Sequence, residues 1–187
     1  MRGPLLSGPL GSAASLAAIA RWLDGAGPVV VLGPVWLAET LATRAPVLFL
    51  DEPDDRRVLV RARRRADKAT RPLTIGIAGA EVPLRRAALG ALVVENVAGL
   101  AADEASRWVQ ALVPSLRPGG RLVAVDATGS SAAAARIAGV FLSAALIDLV
   151  QEQPRDGVVL TVGVAPAAAI IEARFGRFED LGQTGTR

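Results

Sequence analysis

The fold of this chain is decided by the stretch VVVLGPVWL at residues 29–37. Its first four residues, Val29 to Leu32, form a short apolar run that is typical of a buried β-strand. A helix-like run follows at residues 37–44, and a second apolar run at residues 47–50 closes on Asp51 and Glu52. A strand, a turn, a helix, a second strand and an acid make up the first unit of a nucleotide-binding α/β fold.

The turn within this unit is unusual. In nucleotide-binding units it is normally rich in glycine, because the backbone must lie close against the ligand. Here Gly33 is followed by Pro34, Val35 and Trp36. The sequence therefore predicts the fold clearly, while the pattern that predicts cofactor binding is degenerate.

The composition favours one globular domain and excludes several kinds of chemistry. The chain has 187 residues, of which 51% are hydrophobic, and this is enough for one full core. It contains no cysteine, histidine or tyrosine. Disulfides, thiol chemistry, a histidine-based catalytic triad and a histidine zinc site are therefore excluded, and we predict no metal site.

The positive charge of the chain is concentrated in one segment. The formal net charge is +3, and all but one of the 21 cationic residues are arginine. The segment Arg56–Arg71 holds seven arginines and Lys68 against Asp67, a local net charge of +7. Phosphate binding by this segment is one interpretation. The apolar stripe through Val58 and Ala66 favours the other, an ordinary surface helix with a solvated face.

The sequence predicts a cytoplasmic protein without a membrane span. Asp148 and Pro166 interrupt the longest apolar runs, which fall short of the ~20 residues that a spanning helix needs. Glycine and proline pairs also break the apolar N-terminal stretch, at residues 3–4 and 8–9. That stretch is a poor signal-peptide core.

Apolar periodicity divides the chain into a lead, a domain and a tail. We expect a flexible lead at residues 1–11, a domain at residues 12–166, and a tail at residues 167–187 that holds one short helix before it becomes disordered. Helices are predicted at residues 12–23, 37–44, 54–69, 103–113 and 131–145. Strands are predicted at residues 29–32, 47–50, 73–78, 91–97, 121–126, 146–153 and 158–164. Helices alternate with the first five strands, so we predict an α/β fold: a three-layer α/β/α sandwich with a seven-stranded, mostly parallel sheet that ends in an antiparallel hairpin.

One segment carries a family resemblance. The sequence LRPGGRLVAVD at residues 116–126 resembles the L-x-P-G-G-x-L-x-x-x-D segment before and along strand five of class I S-adenosylmethionine (SAM) dependent methyltransferases. Residues 61–66, 79–84 and 91–97 resemble other segments of that family, in the family's order. The closing hairpin resembles its reversed last strand. The resemblance covers residues 12–166 and implies SAM as the cofactor if the protein is active.

The resemblance implies three cofactor-binding residues. Gly33 matches the first glycine of a G-x-G-x-G turn, Asp51 matches the acid that accepts the ribose hydroxyls, and Glu81 approximately replaces an aspartate near the adenine. Val35 and Leu37 stand where the family has its other two glycines, so that their side chains fill space that the methionine part of SAM needs.

Two further residues weaken the SAM site that the resemblance implies. Pro34 removes a backbone donor from the turn. Trp36 is large enough to plug the pocket itself.

The candidate catalytic residue lies at the end of the fourth strand. Glu95 and Asn96 face the usual substrate side, and Glu95 is the candidate base for a substrate hydroxyl or amine. The alternative, which we favour, is that Glu95 is a polar residue that closes a strand. We expect Asp126 to end strand five and to cap the next segment of the chain. Methyl transfer depends mainly on alignment of the reacting groups, so the lack of histidine does not exclude it.

The sequence leaves open whether the protein is an enzyme, and it supports three hypotheses. The first is a methyltransferase-like pseudoenzyme, weakly active or non-catalytic, that acts through a protein partner, a second copy of itself or another ligand. The second is an active SAM-dependent methyltransferase for a small molecule. The third is a nucleic-acid-associated module that uses the basic helix Arg56–Arg71.

Overall fold

The computed structural model describes residues 12–33, 35–42, 47–51, 73–77, 84–155 and 157–167. The predicted lead at residues 1–11, the predicted basic helix at residues 54–69 and residues 168–187 of the predicted tail lie outside the described residues. None of the helices among the described residues is both long and apolar enough to cross a membrane.

The described residues form four α-helices and seven β-strands. The helices are α1 (Ala13–Leu23), α2 (Val35–Ala42), α3 (Ala102–Leu112) and α4 (Ser131–Ser143). The strands are β1 (Val29–Leu32), β2 (Val47–Asp51), β3 (Leu73–Ile77), β4 (Leu89–Glu95), β5 (Leu116–Asp126), β6 (Ile147–Arg155) and β7 (Val158–Val164). Short 3₁₀ turns at Val97–Gly99 and Val113–Ser115 flank α3.

The strands pair in the order β3-β2-β1-β4-β5-β7-β6. Strands β1 to β5 run parallel to one another, and β7 pairs antiparallel with both β5 and β6. The predicted α/β class and the mixed sheet are confirmed. The strand order reverses between β1 and β4, and in sheets of this kind ligands bind at such a point, outside the carboxyl ends of the strands.

The central strands bury both of their faces, which explains why β1 reads as a continuous apolar run. Val29 and Val31 pack in one cluster with α1 and α2, whereas Val30 and Leu32 pack in another with α3 and α4. All four residues are at most 8% exposed. Each buried side chain of this size contributes about 1.5–3 kcal/mol to folding, so the sheet and its helices form the core.

Several element boundaries differ from the prediction. Helix α2 begins at Val35, two residues earlier than predicted, so only Gly33 and Pro34 separate it from β1. Strand β4 ends at Glu95 because Asn96 adopts a left-handed conformation with φ of 62°. Strand β5 begins at Leu116, five residues before the predicted start at Arg121, because Leu116 already pairs with β4 ahead of a register shift.

Backbone contacts close the amino edge of the sheet, where β1, β4 and β5 begin. The amide N–H groups of Gly90 and Ala91 donate to the Pro28 carbonyl at 3.0 and 3.2 Å. Gly90 lies so close to the preceding loop that a Cβ on it would stand 1.3 Å from the Ala26 carbonyl oxygen. Only glycine allows this approach.

Two arginines reinforce the same amino edge. The Arg117 guanidinium donates to the Ala26 carbonyl at 3.0 Å. The Arg121 guanidinium donates to the carbonyls of Trp22 and Asp24 at 2.7 and 3.4 Å. These cations hold the loop between α1 and β1 against β5, so their charge serves the fold.

Candidate functional site

The opposite, carboxyl edge of the sheet brings three predicted site residues together. Leu32 at the end of β1 pairs with Leu50 of β2 and with Val94 of β4. The next residue on each strand is Gly33, Asp51 and Glu95 respectively, so these three stand level on neighbouring strands. Strands are spaced about 4.8 Å apart, which puts the backbones of Asp51 and Glu95 about 10 Å apart on either side of Gly33.

Gly33 is in close contact with Glu95. A Cβ on Gly33 would lie 3.1 Å from the Cβ of Glu95 and 3.5 Å from its Oε2 atom. The Glu95 side chain therefore lies on the side of Gly33 where a Cβ would project, while Gly33 keeps part of its surface exposed. This gives Gly33 a structural reason to be glycine that does not depend on any ligand.

The carboxyl group of Glu95 has a raised pKa. Burial of the half-buried side chain is the larger cause, and the nearby negative charge of Asp126 adds to it. Both effects disfavour the ionised form. A carboxyl group at a strand end with a raised pKa is suited to accept and release a proton nearer neutral pH than an exposed glutamate.

Asp126 is a buried acid at the end of β5. It is 1% exposed, and its Oδ1 atom accepts the Ala98 N–H at 2.6 Å. Its Oδ2 atom has no hydrogen-bond partner among the residues that the structure describes. Burial raises the pKa of this carboxyl group, and the Ala98 hydrogen bond and the Arg136 charge oppose that rise.

The prediction that Asp126 caps the next segment of the chain is wrong. Its side chain holds the 3₁₀ turn that precedes α3, nearly 30 residues back along the chain. The next helix, α4, is capped by Ser130, whose hydroxyl oxygen accepts the Ala133 N–H at 3.4 Å. Adjacent parallel strands bring the distant turn close to Asp126, and local sequence patterns do not encode that proximity.

The loop after Glu95 is held from several sides. Arg136, the only charged residue of α4, donates to the carbonyls of Leu100, at 2.7 Å, and Ala98. The left-handed Asn96 fits because Gly99 has no side chain, since a Cβ there would stand 2.4 Å from the Asn96 Oδ1 atom. The sequence analysis did not identify this role of Arg136. The pattern that could have indicated it is a single arginine within an alanine-rich helix.

The expectation that Leu37 fills ligand space is wrong. Leu37 is 1% exposed and packs in the core cluster with α1 and β1, so it points into the protein interior. Val35 and Trp36 open α2, and the plugging role predicted for Trp36 stays a prediction. Glu81 and the basic segment Arg56–Arg71 lie outside the described residues.

A cavity of about 290 Å³ lies further along the same edge. It is formed where α4 begins and where β6 passes β7, and Val159 in its wall pairs with Asp126. Its polar lining comes from Ser130, Ser131, Gln151, Glu152 and Gln153. The Glu152 carboxylate in this lining already accepts hydrogen bonds from Arg21, at 2.5 Å, and from Trp22, at 3.0 Å.

The described residues fit SAM only in part. An acid at the end of the second strand suits ribose hydroxyls, and Asp51 is the last residue of β2. Beside Gly33, whose backbone should face the methionine part, the Glu95 side chain takes the side on which a Cβ would project. Because Glu95 narrows the space beside this glycine, the residues that the structure describes fit the ribose part of SAM better than its methionine part.

Comparison with known proteins identifies the fold. No protein-family model matches the sequence. No curated protein matches it either. In contrast, 706 chains of solved structures match the fold, and they include several methyltransferases. The chain therefore has the fold of class I SAM-dependent methyltransferases, as the resemblance implied.

Three solved structures illustrate the likeness. PigF, solved with S-adenosylhomocysteine (SAH), is 11% identical with a TM-score of 0.65, and the match covers 80% of this chain and 54% of PigF. The N-methyltransferase NodS from Bradyrhizobium japonicum is 18% identical with a TM-score of 0.63, and the match covers 87% of this chain and all of NodS. A chain from the Haloferax volcanii complex of a methyltransferase with the Trm112 methyltransferase activator is also 18% identical with a TM-score of 0.63, covering 81% of this chain and 89% of the other.

Proposed function

We propose that the protein is a methyltransferase-like pseudoenzyme, weak or inactive in methyl transfer, that acts by binding a protein partner or a ligand other than SAM. The contact between Gly33 and Glu95 carries this proposal. In a SAM-binding unit the backbone at this glycine must be open to the ligand. Here the Glu95 Cβ stands 3.1 Å from the position of a Gly33 Cβ, which narrows the space beside this glycine.

The connection between β1 and α2 supports the same proposal. Only Gly33 and Pro34 separate these two elements, and proline has no backbone N–H to offer. A helix N-terminus binds anions through its free N–H groups. A short link that lacks one donor has less to offer the carboxylate of SAM than a link of several glycines.

A protein partner is the mode of action that we propose first. The Haloferax volcanii neighbour belongs to a complex with a methyltransferase activator, so a protein of this fold can be joined to a second chain. By analogy, a chain of this fold that does not use SAM would still have its surfaces for assembly.

The proposal is tested by calorimetric titration of the purified protein with SAM and, separately, with SAH, each up to millimolar concentration. We expect no binding heat and no rise in melting temperature. A 1:1 isotherm with a micromolar Kd, about −8 kcal/mol of binding free energy, would overturn the proposal.

A second candidate, an active methyltransferase for a small molecule, has one observation in its favour. Glu95 ends β4 at the carboxyl edge, and its carboxyl group has a raised pKa, as a base for an acceptor hydroxyl or amine needs. This candidate requires that Asp51→Ala abolish SAM binding while the melting temperature stays unchanged. Unchanged SAM affinity in that variant would remove Asp51 from the role.

A further inference from the structure

One carboxyl oxygen of Asp126 is not used by the fold. The Oδ1 atom accepts the Ala98 N–H at 2.6 Å, whereas the Oδ2 atom is buried and has no hydrogen-bond partner among the residues that the structure describes. The whole residue is 1% exposed. An ionised carboxyl group in such a place costs free energy, and a proton on Oδ2 removes most of that cost.

Arg136 is the cation nearest in effect to this carboxyl group, but its hydrogen bonds go elsewhere. Its guanidinium donates to the carbonyls of Leu100, at 2.7 Å, and of Ala98. Its positive charge also acts on Asp126, so the two side chains lie within electrostatic reach of each other. A guanidinium bonds a carboxylate more strongly than a neutral carbonyl. Arg136 therefore has a better acceptor beside it whenever Asp126 is ionised.

Both side chains act on the same short segment, residues 96–100, which leads from β4 toward α3. Asp126 accepts the Ala98 N–H, and Arg136 donates to the Ala98 carbonyl. Within the segment, the N–H groups of residues 99 and 100 donate to the carbonyls of residues 96 and 97 at 3.1 and 3.3 Å. A single turn is only marginally stable by itself, so its order depends on the side chains that flank it.

Two charged groups face Asp126 from the elements packed around it. Glu95 projects from the end of β4, and its carboxylate and that of Asp126 repel each other. Arg136 approaches from α4. Within the described residues, neither β7 nor the turn at residues 97–99 carries a charged side chain. The protonation of Asp126 is therefore balanced between its burial and these two neighbours.

We propose that residues 96–100 form a proton-controlled latch at the carboxyl edge, which is closed while Asp126 holds a proton and opens when the ionised carboxylate draws Arg136 away from the Ala98 and Leu100 carbonyls. The proton leaves Oδ2 for the solvent, and Arg136 stays charged throughout. The Ala98 N–H remains on Oδ1, so that opening frees the end of the segment that leads into α3.

The latch goes beyond the proposed function and holds whether or not the protein binds SAM. It lies beside Glu95, at the edge where sheets of this kind bind ligands, so the proton would control access to that edge. Burial raises the pKa of Asp126, which moves the opening toward neutral pH.

Amide hydrogen exchange of the full-length protein, resolved by residue with NMR, tests the latch. Protection factors are compared after correction for the intrinsic pH dependence of exchange. Between about pH 4 and about pH 8, the protection of the Gly99 and Leu100 amides should fall about tenfold more than that of the Gly90 and Ala91 amides. The latter two donate to Pro28 at the opposite edge and report on the stability of the whole fold.

Three substitutions assign the parts of the latch. Asp126→Asn is neutral at every pH, so the two amides of the latch should stay protected throughout. Arg136→Gln removes the cation, and protection should be low at both ends of the pH range. Glu95→Gln should keep the transition, because its proton is not the one that matters. Arg107→Gln and Asp148→Asn, at exposed positions, are the matched controls and should behave like the parent.

Three results would overturn the latch. The first is an equal loss of protection at both edges, because Asp126 would then act on the stability of the whole fold. The second is a transition that persists in Asp126→Asn or disappears in Glu95→Gln, because the proton would then belong to another group. The third is an unchanged transition in Arg136→Gln. Melting temperatures verify folding, and the Glu95 and Arg136 variants decide the question if Asp126→Asn does not fold.

Discussion

The two edges of the sheet use their polar groups in opposite ways. At the amino edge, Arg117 and Arg121 donate to carbonyls of the loop before β1, and Gly90 lets two backbones touch. At the carboxyl edge, Glu95 and Asp126 both have raised pKa values because they are partly or wholly buried. The arginines of the amino edge are hydrogen-bonded. The carboxyl edge keeps two carboxyl groups whose burial costs folding free energy.

The contrast between the two edges indicates, on physical grounds alone, that the carboxyl edge is the functional one. An unpartnered carboxyl oxygen in the protein interior costs free energy, and such costs concentrate where a protein binds or reacts. The amino edge has close packing and paired cations, which are features of stability. Substitutions at each edge test whether the two differ in this way.

The largest effect is expected at the amino edge. Gly90→Ala would place a Cβ 1.3 Å from the Ala26 carbonyl oxygen, so the loop before β1 must move and the core must open. We expect a loss of about 4 kcal/mol or more in the free energy of unfolding, which is an exceptional value for one substitution. Urea denaturation measures it.

A matched glycine substitution serves as the control for Gly90. Gly139 lies within α4, and a Cβ there would meet nothing within 4 Å. Gly139→Ala should therefore stabilise the protein by about 0.5–1 kcal/mol through its helix propensity. Equal losses of unfolding free energy in Gly90→Ala and Gly139→Ala would contradict the close packing at the amino edge.

At the carboxyl edge, Asp126→Ala removes the acceptor of the Ala98 N–H. We expect a loss of about 1–3 kcal/mol in the free energy of unfolding, because a hydrogen bond to a charged group is lost while the cost of burying a carboxylate is removed. Asp126→Asn keeps an acceptor and should lose less. Urea denaturation of both variants checks the order, and a reversed order would contradict the holding role of Asp126.

The stability of the protein should depend on pH through the buried carboxyl group of Asp126 at the carboxyl edge. A raised pKa in the folded state means that folding favours the protonated acid, so this stabilisation is complete below the ordinary value of 3.8 for aspartate and is lost as pH rises through the raised value. One such proton changes stability by at most about 1.4 kcal/mol per pH unit. Unfolding free energies measured from pH 4 upward should show a smaller decline in Asp126→Asn than in the parent.

The smallest effect is expected where α4 ends, at the amino edge. Ala145 has φ of 59°, and the Leu146 N–H donates back to the Phe141 carbonyl at 3.1 Å, a helix ending that usually uses glycine. Ala145→Gly should relieve the strained backbone and raise the free energy of unfolding by about 0.5–1 kcal/mol. A thermal melt measures the gain, and destabilisation would contradict it.

The sequence predicted those parts of the molecule that depend on local pattern. The run from Val29 to Leu32, the acid at Asp51 and the closing hairpin all have recognisable periodicities or compositions. The burial of Leu37 was not predictable, because it depends on where α2 begins. With the start at Val35, Leu37 lies on the buried face of the helix, whereas the sequence placed it at the end of the turn.

The polar network at the carboxyl edge was beyond local pattern as well. Asp126 holds Ala98, and Arg136 holds Leu100, and both contacts join segments about 30 or more residues apart. Neither strand nor helix propensity encodes such a pairing. The contact of Glu95 with Gly33 depends in the same way on two strands lying side by side.

Strand β6 at the end of the sheet has a consequence for self-association. Edge strands can recruit a second chain by extending the sheet, and proteins prevent this with bulges and proline. In β6, Asp148 has φ of 51°, the register with β7 shifts twice, and Pro154 lies within the strand. Copies of this chain should therefore resist joining edge to edge at β6, and a crowded solution of the protein should not form fibres through that strand.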